Sequence, residues 1–296
     1  MTLHVLSTRS AAGAPGPGTE LAPSALVKAG LLEALRASGA DVQTVDDATD
    51  VVFPYRADHE HPSGRNVRGV AAAAAFTAEG VVSALTNGSA LLLGGDCTLI
   101  AGSLAGARRA LGRPVGVVYL DAHADLNTPE TSPSGFLCGM ALALALGHGP
   151  AEVTAAGGAR GVVEPEHVAL LGYREVDPGE RPLLESLGLA LPAEAARSMG
   201  MRGVAARALD EIANDGGPLW VHVDVDVLDP GLMTAKHSLT PGAGLRWEEL
   251  AELLAALAAS GRLVGMQVAE FFPPGDPDGR QARRLIETLV RGGVGG

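Results

Sequence analysis

Asp121, His123 and Asp125 occupy alternate positions in Asp121-Ala122-His123-Ala124-Asp125, directly after the apolar run Val117-Val118-Tyr119-Leu120. Alternate residues of an extended segment face the same way, so these three are expected to project together from a strand end. A second stretch repeats the arrangement, with Leu219-Trp220-Val221-His222-Val223 running into Asp224-Val225-Asp226. Should the two strand ends lie side by side, the carboxylates repel one another unless cations sit between them. Asp121, Asp125, Asp224 and Asp226 carry more negative charge than one divalent ion balances. The spacing therefore points to a two-metal site, with His123 supplying an imidazole.

The elements that must position these groups alternate along the chain. Apolar strands are expected at 3–7, 41–45, 90–93, 115–120, 168–171, 219–223 and 263–268. Between them the 3.6-residue period and turn signals predict helices at 24–38, 66–87, 98–111, 182–187, 193–199, 203–213, 247–259 and 281–291. Residues 134–146 read as a glycine-containing loop that becomes helical, and 53–65 as a loop whose His59 and His61 are surface residues rather than ligands. Continuous apolar strands are covered on both faces, which makes the fold α/β: a three-layer αβα sandwich with a mostly parallel central sheet. No linker or repeat interrupts it, so residues 1–296 are expected to form one domain. Cys97, Asp121, His123, Asp125, Asp177, Asp224, Asp226 and Glu270 all follow strand ends, where parallel sheets build their sites.

Bulk properties narrow the function further. Of the 296 residues 47% are hydrophobic but only 3% aromatic, so the core is aliphatic. A formal charge of -12 argues against nucleic-acid or anionic-membrane partners, which need a basic face. The first residues lack the pattern of a signal peptide, and the apolar runs look too short to span a membrane. With Cys97 and Cys138 as the two cysteines, no disulfide framework is expected and a reducing cytoplasm is the default.

Gly94-Gly95-Asp96, Asp121-Ala122-His123-Ala124-Asp125, Asp224-Val225-Asp226-Val227-Leu228-Asp229-Pro230 and Ala269-Glu270 with Pro273 resemble the motifs of the ureohydrolases, the family of arginase, agmatinase and formiminoglutamase. The resemblance runs from Lys28-Ala29-Gly30-Leu31-Leu32 in the first helix to the last strand. It implies a hydrolase of linear amidines with a binuclear manganese (Mn2+) centre. Asp121 and Asp224 would bridge both ions, Asp125 and Cys97 would complete one site, and His123 and Asp226 the other. Hydroxide between the ions would attack a guanidinium carbon. Asp125 would orient that nucleophile and pass its proton on, while Glu270 would hold the small guanidino substrate. Ureohydrolase relatives commonly form trimers or hexamers; the sequence itself carries no oligomer signature, so a homo-oligomer stays open.

Several positions depart from the family pattern. Cys97 stands where a histidine usually follows Gly-Gly-Asp. Manganese prefers oxygen and nitrogen donors to thiolate, so that site is expected to bind weakly or to take another divalent metal. Residues 127–139 resemble the arginase substrate loop, with Asn127 and Ser134 matching positions that bind the amino-acid end of arginine. Phe136 replaces an asparagine there, and Cys138 replaces the histidine assigned to proton shuttling and is expected simply to pack. Asp177 matches the carboxylate that reaches the substrate amino group. His222, where arginases carry serine, joins Asp125 and Glu270 as a catalytic candidate, through metal assistance, proton transfer or a hydrogen bond behind the ligands. Lys236 and His237 lie near the substrate entrance or on the surface. Together these features resemble the cysteine-ligand subgroup that includes an Nω-hydroxy-L-arginine amidinohydrolase, which releases hydroxyurea. The alternatives are a formimino- or other guanidino-acid hydrolase of the same fold, or a non-catalytic metal-binding relative.

Overall fold

A computed structural model describes residues 1–45, 51–58, 61, 63–155, 161–212, 215–237 and 240–295. His59 lies outside the described residues. The strands are β1 (Thr2–Ser7), β2 (Arg9–Ser10), β3 (Val42–Thr44), β4 (Val52–Phe53), β5 (Gly88–Leu93), β6 (Gly116–Leu120), β7 (Val168–Tyr173), β8 (Leu189–Pro192), β9 (Leu219–Asp224) and β10 (Leu263–Ala269). The helices are α1 (Ala22–Lys28), α2 (Leu31–Ala37), α3 (Val67–Asn87), α4 (Leu99–Leu111), α5 (Ala141–Ala145) and α6 (Ala151–Thr154). They continue with α7 (Arg181–Leu184), α8 (Ala193–Met199), α9 (Met201–Glu211), α10 (Trp247–Ala258) and α11 (Arg280–Arg291).

Eight strands form one sheet in the order β3-β1-β5-β10-β9-β6-β7-β8, and every pairing is parallel. Alternation along each strand splits its side chains between two cores. Leu91, Leu93, Val118, Leu120, Val221 and Val223 face the side covered by α2, α10 and α11. Leu92, Val117, Tyr119, Leu170 and Trp220 face the side covered by α3, α4 and α5. This is the expected three-layer α/β arrangement, and it explains why the strands read as unbroken apolar runs. It also leaves the C-terminal ends of β5, β10, β9, β6 and β7 side by side on one edge, which is where the candidate residues follow.

Three expectations need correction. The α3 helix is 21 residues long with a mean hydropathy of 1.4, so a run of spanning length does exist. It is nevertheless a core helix: Val70, Ala73, Ala78 and Val81 are wholly buried, and Gly102 and Gly106 of α4 lie against its Ala74 and Ala78. The short strand β8 was not foreseen, because Leu189-Ala190-Leu191 between two helical segments carries no β-branched signal. The two-stranded pairing of β2 with β4 was also missed, because each contributes only two residues.

Candidate functional site

The acidic residues converge, but not by strand alternation. β6 stops at Leu120 and β9 at Asp224, and the ligands beyond are aimed by turns. Asp121 Oδ1 accepts the backbone N–H of His123 at 2.7 Å, and Asp224 Oδ1 accepts that of Asp226, also at 2.7 Å. In both loops the first aspartate folds the chain back over its own strand end. The two loops are then tied together, with Ala122 N–H donating to Asp226 Oδ1 at 3.0 Å. Asp125 and Glu270 hold left-handed backbone conformations, φ 53° and 62°. Non-glycine residues occupy that region at a cost, and here the surrounding bonds fix it. Glu270 N–H, for example, donates to the Gly95 carbonyl at 2.7 Å.

The Gly-Gly-Asp motif proves to be scaffolding. A side chain at Gly95 would collide with the Ser10 carbonyl. Asp96 accepts hydrogen bonds from Ser10 Oγ at 2.7 Å, Gly13 N–H at 3.2 Å and Thr98 N–H at 3.1 Å, and so anchors the loop that presents Cys97. Cys97 is buried beside Asp224, Sγ to Oδ2 3.1 Å, and its N–H donates to Glu270 Oε1 at 3.3 Å.

His123 Nδ1 lies 3.3 Å from Asp121 Oδ1 and 3.1 Å from Asp226 Oδ2, while Nε2 meets Thr240 Oγ1 at 2.8 Å. Asp125 Oδ2 accepts from the Tyr119 hydroxyl at 2.7 Å. Among the described residues two donor groups result: Cys97 with Asp121 and His222, and Asp121 with His123 and Asp226. Within each, one ligand atom per residue lies within 4.8 Å of the others. Asp121 Oδ2 is buried without a hydrogen-bond partner.

The electrostatics show how crowded the acids are. Burial pushes Asp121 and Asp224 well above the usual carboxylate range, and their acidic neighbours add to it. Burial raises Asp125 to about 7 against the pull of His123 and the Tyr119 hydroxyl. Glu270 is pushed well up by burial and by Asp224, and Cys97 by burial and the same aspartate. Asp226 goes the other way: burial raises it, but the His123 hydrogen bond and charge outweigh that and hold it at about 2. Burial alone would lower His123, yet Asp121 and Asp226 drive it up to about 12. Acids that must keep protons, grouped around an unpartnered carboxylate oxygen, suit a cation that would displace those protons. The set therefore fits divalent metal.

Above these groups opens a cavity of about 420 Å³, within the range of small-ligand sites. Cys97, His123, Asp125, Asp224, Asp226 and Glu270 line it, as do Ser134, Phe136, Cys138, Lys236 and His237. Lys236 is only 6% exposed and its ammonium has no hydrogen-bond partner, so it belongs to the site rather than the surface. His237 packs against Phe272, ring centres 4.4 Å apart and planes tilted by 50°, with Nδ1 4.0 Å from Glu270 Oε2. Asn127 and Asp177 do not line the cavity. Asn127 Nδ2 donates to Asp177 Oδ2 at 2.8 Å, and Asp177 caps the following turn with Glu180, so the pair braces the loop wall. His222 also stays off the cavity surface, beneath it, with no exposure at all. Burial lowers its pKa to about 3, which keeps the ring neutral.

Residues 5–293 match the model of the Arginase family. The chain belongs to the arginase family. It is 33% identical to arginase of Neurospora crassa over 99% of this chain and 86% of that protein. To human arginase-1 it is 30% identical, over 98% and 90%. Arginase from Bacillus subtilis superposes with a TM-score of 0.85 at 28% identity, covering 98% of both chains. The family is one of hydrolases, so the motif-based reading of an enzyme stands.

Sequence reasoning missed Tyr119 and Thr240, which bond Asp125 and His123. Tyr119 sits on β6 two residues before Asp121, and its hydroxyl reaches past the strand end to Asp125. A polar residue two places before a ligand was the available signal, and it singles out His222 as well.

Proposed function

We propose that this chain hydrolyses the guanidino group of an arginine-like amino acid, with two divalent ions held by Asp121, His123, Asp125, Asp224, Asp226 and Cys97, Mn2+ in the all-oxygen-and-nitrogen site and Mn2+ or another divalent metal in the Cys97 site. The observation that supports it most is the joint placement of Glu270 with Asp125, Asp224 and Asp226 on one small cavity, with Asp121 buried directly behind them. Such a cavity offers a carboxylate for a planar cation beside a seat for metal. Bound there, the ions would supply Lewis acidity and a water acidified enough to react near neutral pH.

The residues do the rest. The Glu270 carboxylate accepts the N–H edge of the guanidinium, which fixes its central carbon over the aspartates. Asp125, buried beside the metal seat and on the cavity wall, takes the proton of the attacking water and hands it to the leaving nitrogen. The Tyr119 hydroxyl keeps Asp125 Oδ2 in place. Ser134 on the cavity rim contacts the amino-acid end, with Asn127 and Asp177 holding its loop.

The finer substrate reading is Nω-hydroxy-L-arginine, with hydroxyurea as the released product. Cys138 lines the cavity where a shuttle histidine would stand, and burial pushes its thiol well above the usual range. Such a thiol is a poor proton carrier at neutral pH. The hydroxylated nitrogen stays in hydroxyurea and the departing nitrogen is the alkyl amine with either substrate; hydroxylation instead lowers the basicity of the guanidino group, so that less of it is held as the unreactive cation. A panel of guanidino compounds is to be assayed with manganese-loaded protein, scored for urea and hydroxyurea. Turnover of the hydroxylated arginine faster than arginine is expected. Faster turnover of arginine rejects the finer reading, and no turnover of any guanidine rejects the whole.

A further inference from the structure

His222 is fully buried, and neither ring nitrogen has a hydrogen-bond partner. A neutral imidazole carries one donor and one acceptor, and native interiors rarely leave both unmet. Its ring is held flat against Tyr119, with centres 4.1 Å apart and planes inclined by 12°. Register pairs it with Tyr119 on β6 and with Gln267 on β10. Stacking fixes the ring plane and leaves the edge to interact. A nitrogen of that edge forms the group with Cys97 Sγ and an Asp121 oxygen, all within 4.8 Å of one another. Metal bonds of about 2.0–2.3 Å to each donor fit a triangle of that size after small side-chain adjustments. Another buried side-chain atom without a hydrogen-bond partner, Asp121 Oδ2, belongs to the same three residues.

We propose that His222 is itself a metal ligand, holding a zinc-class ion together with Cys97 and Asp121. The imidazole absent from position 97 is then supplied from β9, two residues before Asp224 and on the same face of that strand. When the ion binds, the Cys97 thiol releases its proton to solvent and the sulfur lone pair forms the metal bond. One thiolate, one imidazole and one carboxylate form a set that zinc accepts readily and manganese does not. The Asp121–His123–Asp226 group offers oxygen and nitrogen only and keeps its preference for manganese. The inference rests on the site being a metal centre, and not on which guanidino compound is cleaved.

Metal-stripped full-length protein is to be titrated with zinc(II) and, as a spectroscopic probe, with cobalt(II). At the first equivalent the wild type is expected to show a thiolate-to-cobalt band in the near ultraviolet and intense visible bands of a four-coordinate ion. His222→Asn is expected to retain the thiolate band, to shift the visible bands and to lose more than the roughly 10–100-fold in zinc affinity that removal of a supporting residue costs. In Cys97→His/His222→Asn, zinc affinity returns and the thiolate band vanishes. Long-range proton–nitrogen spectra of the wild-type histidine rings need no variant: one His222 nitrogen moves to the metal-bound range at one equivalent of zinc. A His222 resonance that does not move, or visible bands unchanged in His222→Asn, overturns the proposal while leaving the metal centre standing. Wild-type protein that binds neither ion overturns both.

Discussion

Glu270 and Lys236 place opposite charges on the wall of one cavity, and each makes a separate prediction. Glu270→Gln keeps the shape and an oxygen for the Cys97 N–H but removes the charge that grips a guanidinium. Loss of one partner of a buried charged pair costs about 2–5 kcal/mol. The value of kcat/KM is therefore expected to fall by about two to three orders of magnitude, read by steady-state kinetics on protein with unchanged circular dichroism. Unchanged kinetics would remove Glu270 from the substrate site. Lys236 lowers the Asp226 carboxyl by its charge, so it also repels an arriving cation. Lys236→Met is expected to tighten manganese binding by about tenfold, since a nearby unit charge is worth on the order of 1 kcal/mol or more. Calorimetric titration giving equal affinities would show that the ammonium is not felt at the metal. Glu270 was legible in the sequence because a motif marks it. The burial of Lys236 was not, because nothing local to residues 229–241 says which way that loop folds.

At the level of elements, loops rather than strands aim the ligands. Asp121 and Asp224 were legible as strand-end residues, but the alternation assigned to Asp125 and Asp226 was the wrong device. A carboxylate that captures the N–H two residues on turns the chain immediately, and local bonding of this kind competes with continued extension. The β5 loop depends on a backbone crossing: Gly95 approaches Ser10 so closely that a methyl group has no room. Gly95→Ala should therefore destabilise the fold by about 2–3 kcal/mol or more, through forced displacement of backbone. It should also loosen Cys97 and Glu270, which hang from this loop. Denaturant unfolding together with metal titration checks both, and a variant with wild-type stability would contradict the crossing. The sequence shows two adjacent glycines but not their partner, which lies 85 positions earlier at Ser10.

Across the whole molecule, the acids couple folding to pH and to metal. In the metal-free protein Asp125 is raised from 3.8 to about 7, and Asp121, Asp224 and Glu270 stand well above their usual range, all by burial first. The folded state thus keeps protons that the unfolded chain sheds above about pH 4, and its stability declines as pH rises through about 7. His123 acts in the same direction: raised from 6.5 to about 12, its contribution is complete below 6.5 and declines above it. Asp226 opposes them, with a contribution present above its ordinary 3.8 and lost as pH falls through about 2. The melting temperature of metal-free protein is therefore expected to fall between about pH 5 and pH 8. Stabilisation by added manganese should grow over the same interval, because the ion replaces the protons. Melting curves independent of pH in both states would dismiss this coupling.

By itself the sequence determined the layer order of the fold and the types of donor available. Unbroken apolar strands can only be satisfied in a sheet covered twice, and motif residues follow strand ends wherever the chain puts them. Only the tertiary structure decided which of those residues meet. The sheet order sets β5, β10, β9 and β6 edge to edge, bringing Cys97, Glu270, Asp224 and Asp121 together across long stretches of chain. It paired Asn127 with Asp177 away from the cavity and set His222 beneath Cys97 and Asp121. Local preferences act over a few residues, whereas these contacts are fixed by which strands become neighbours.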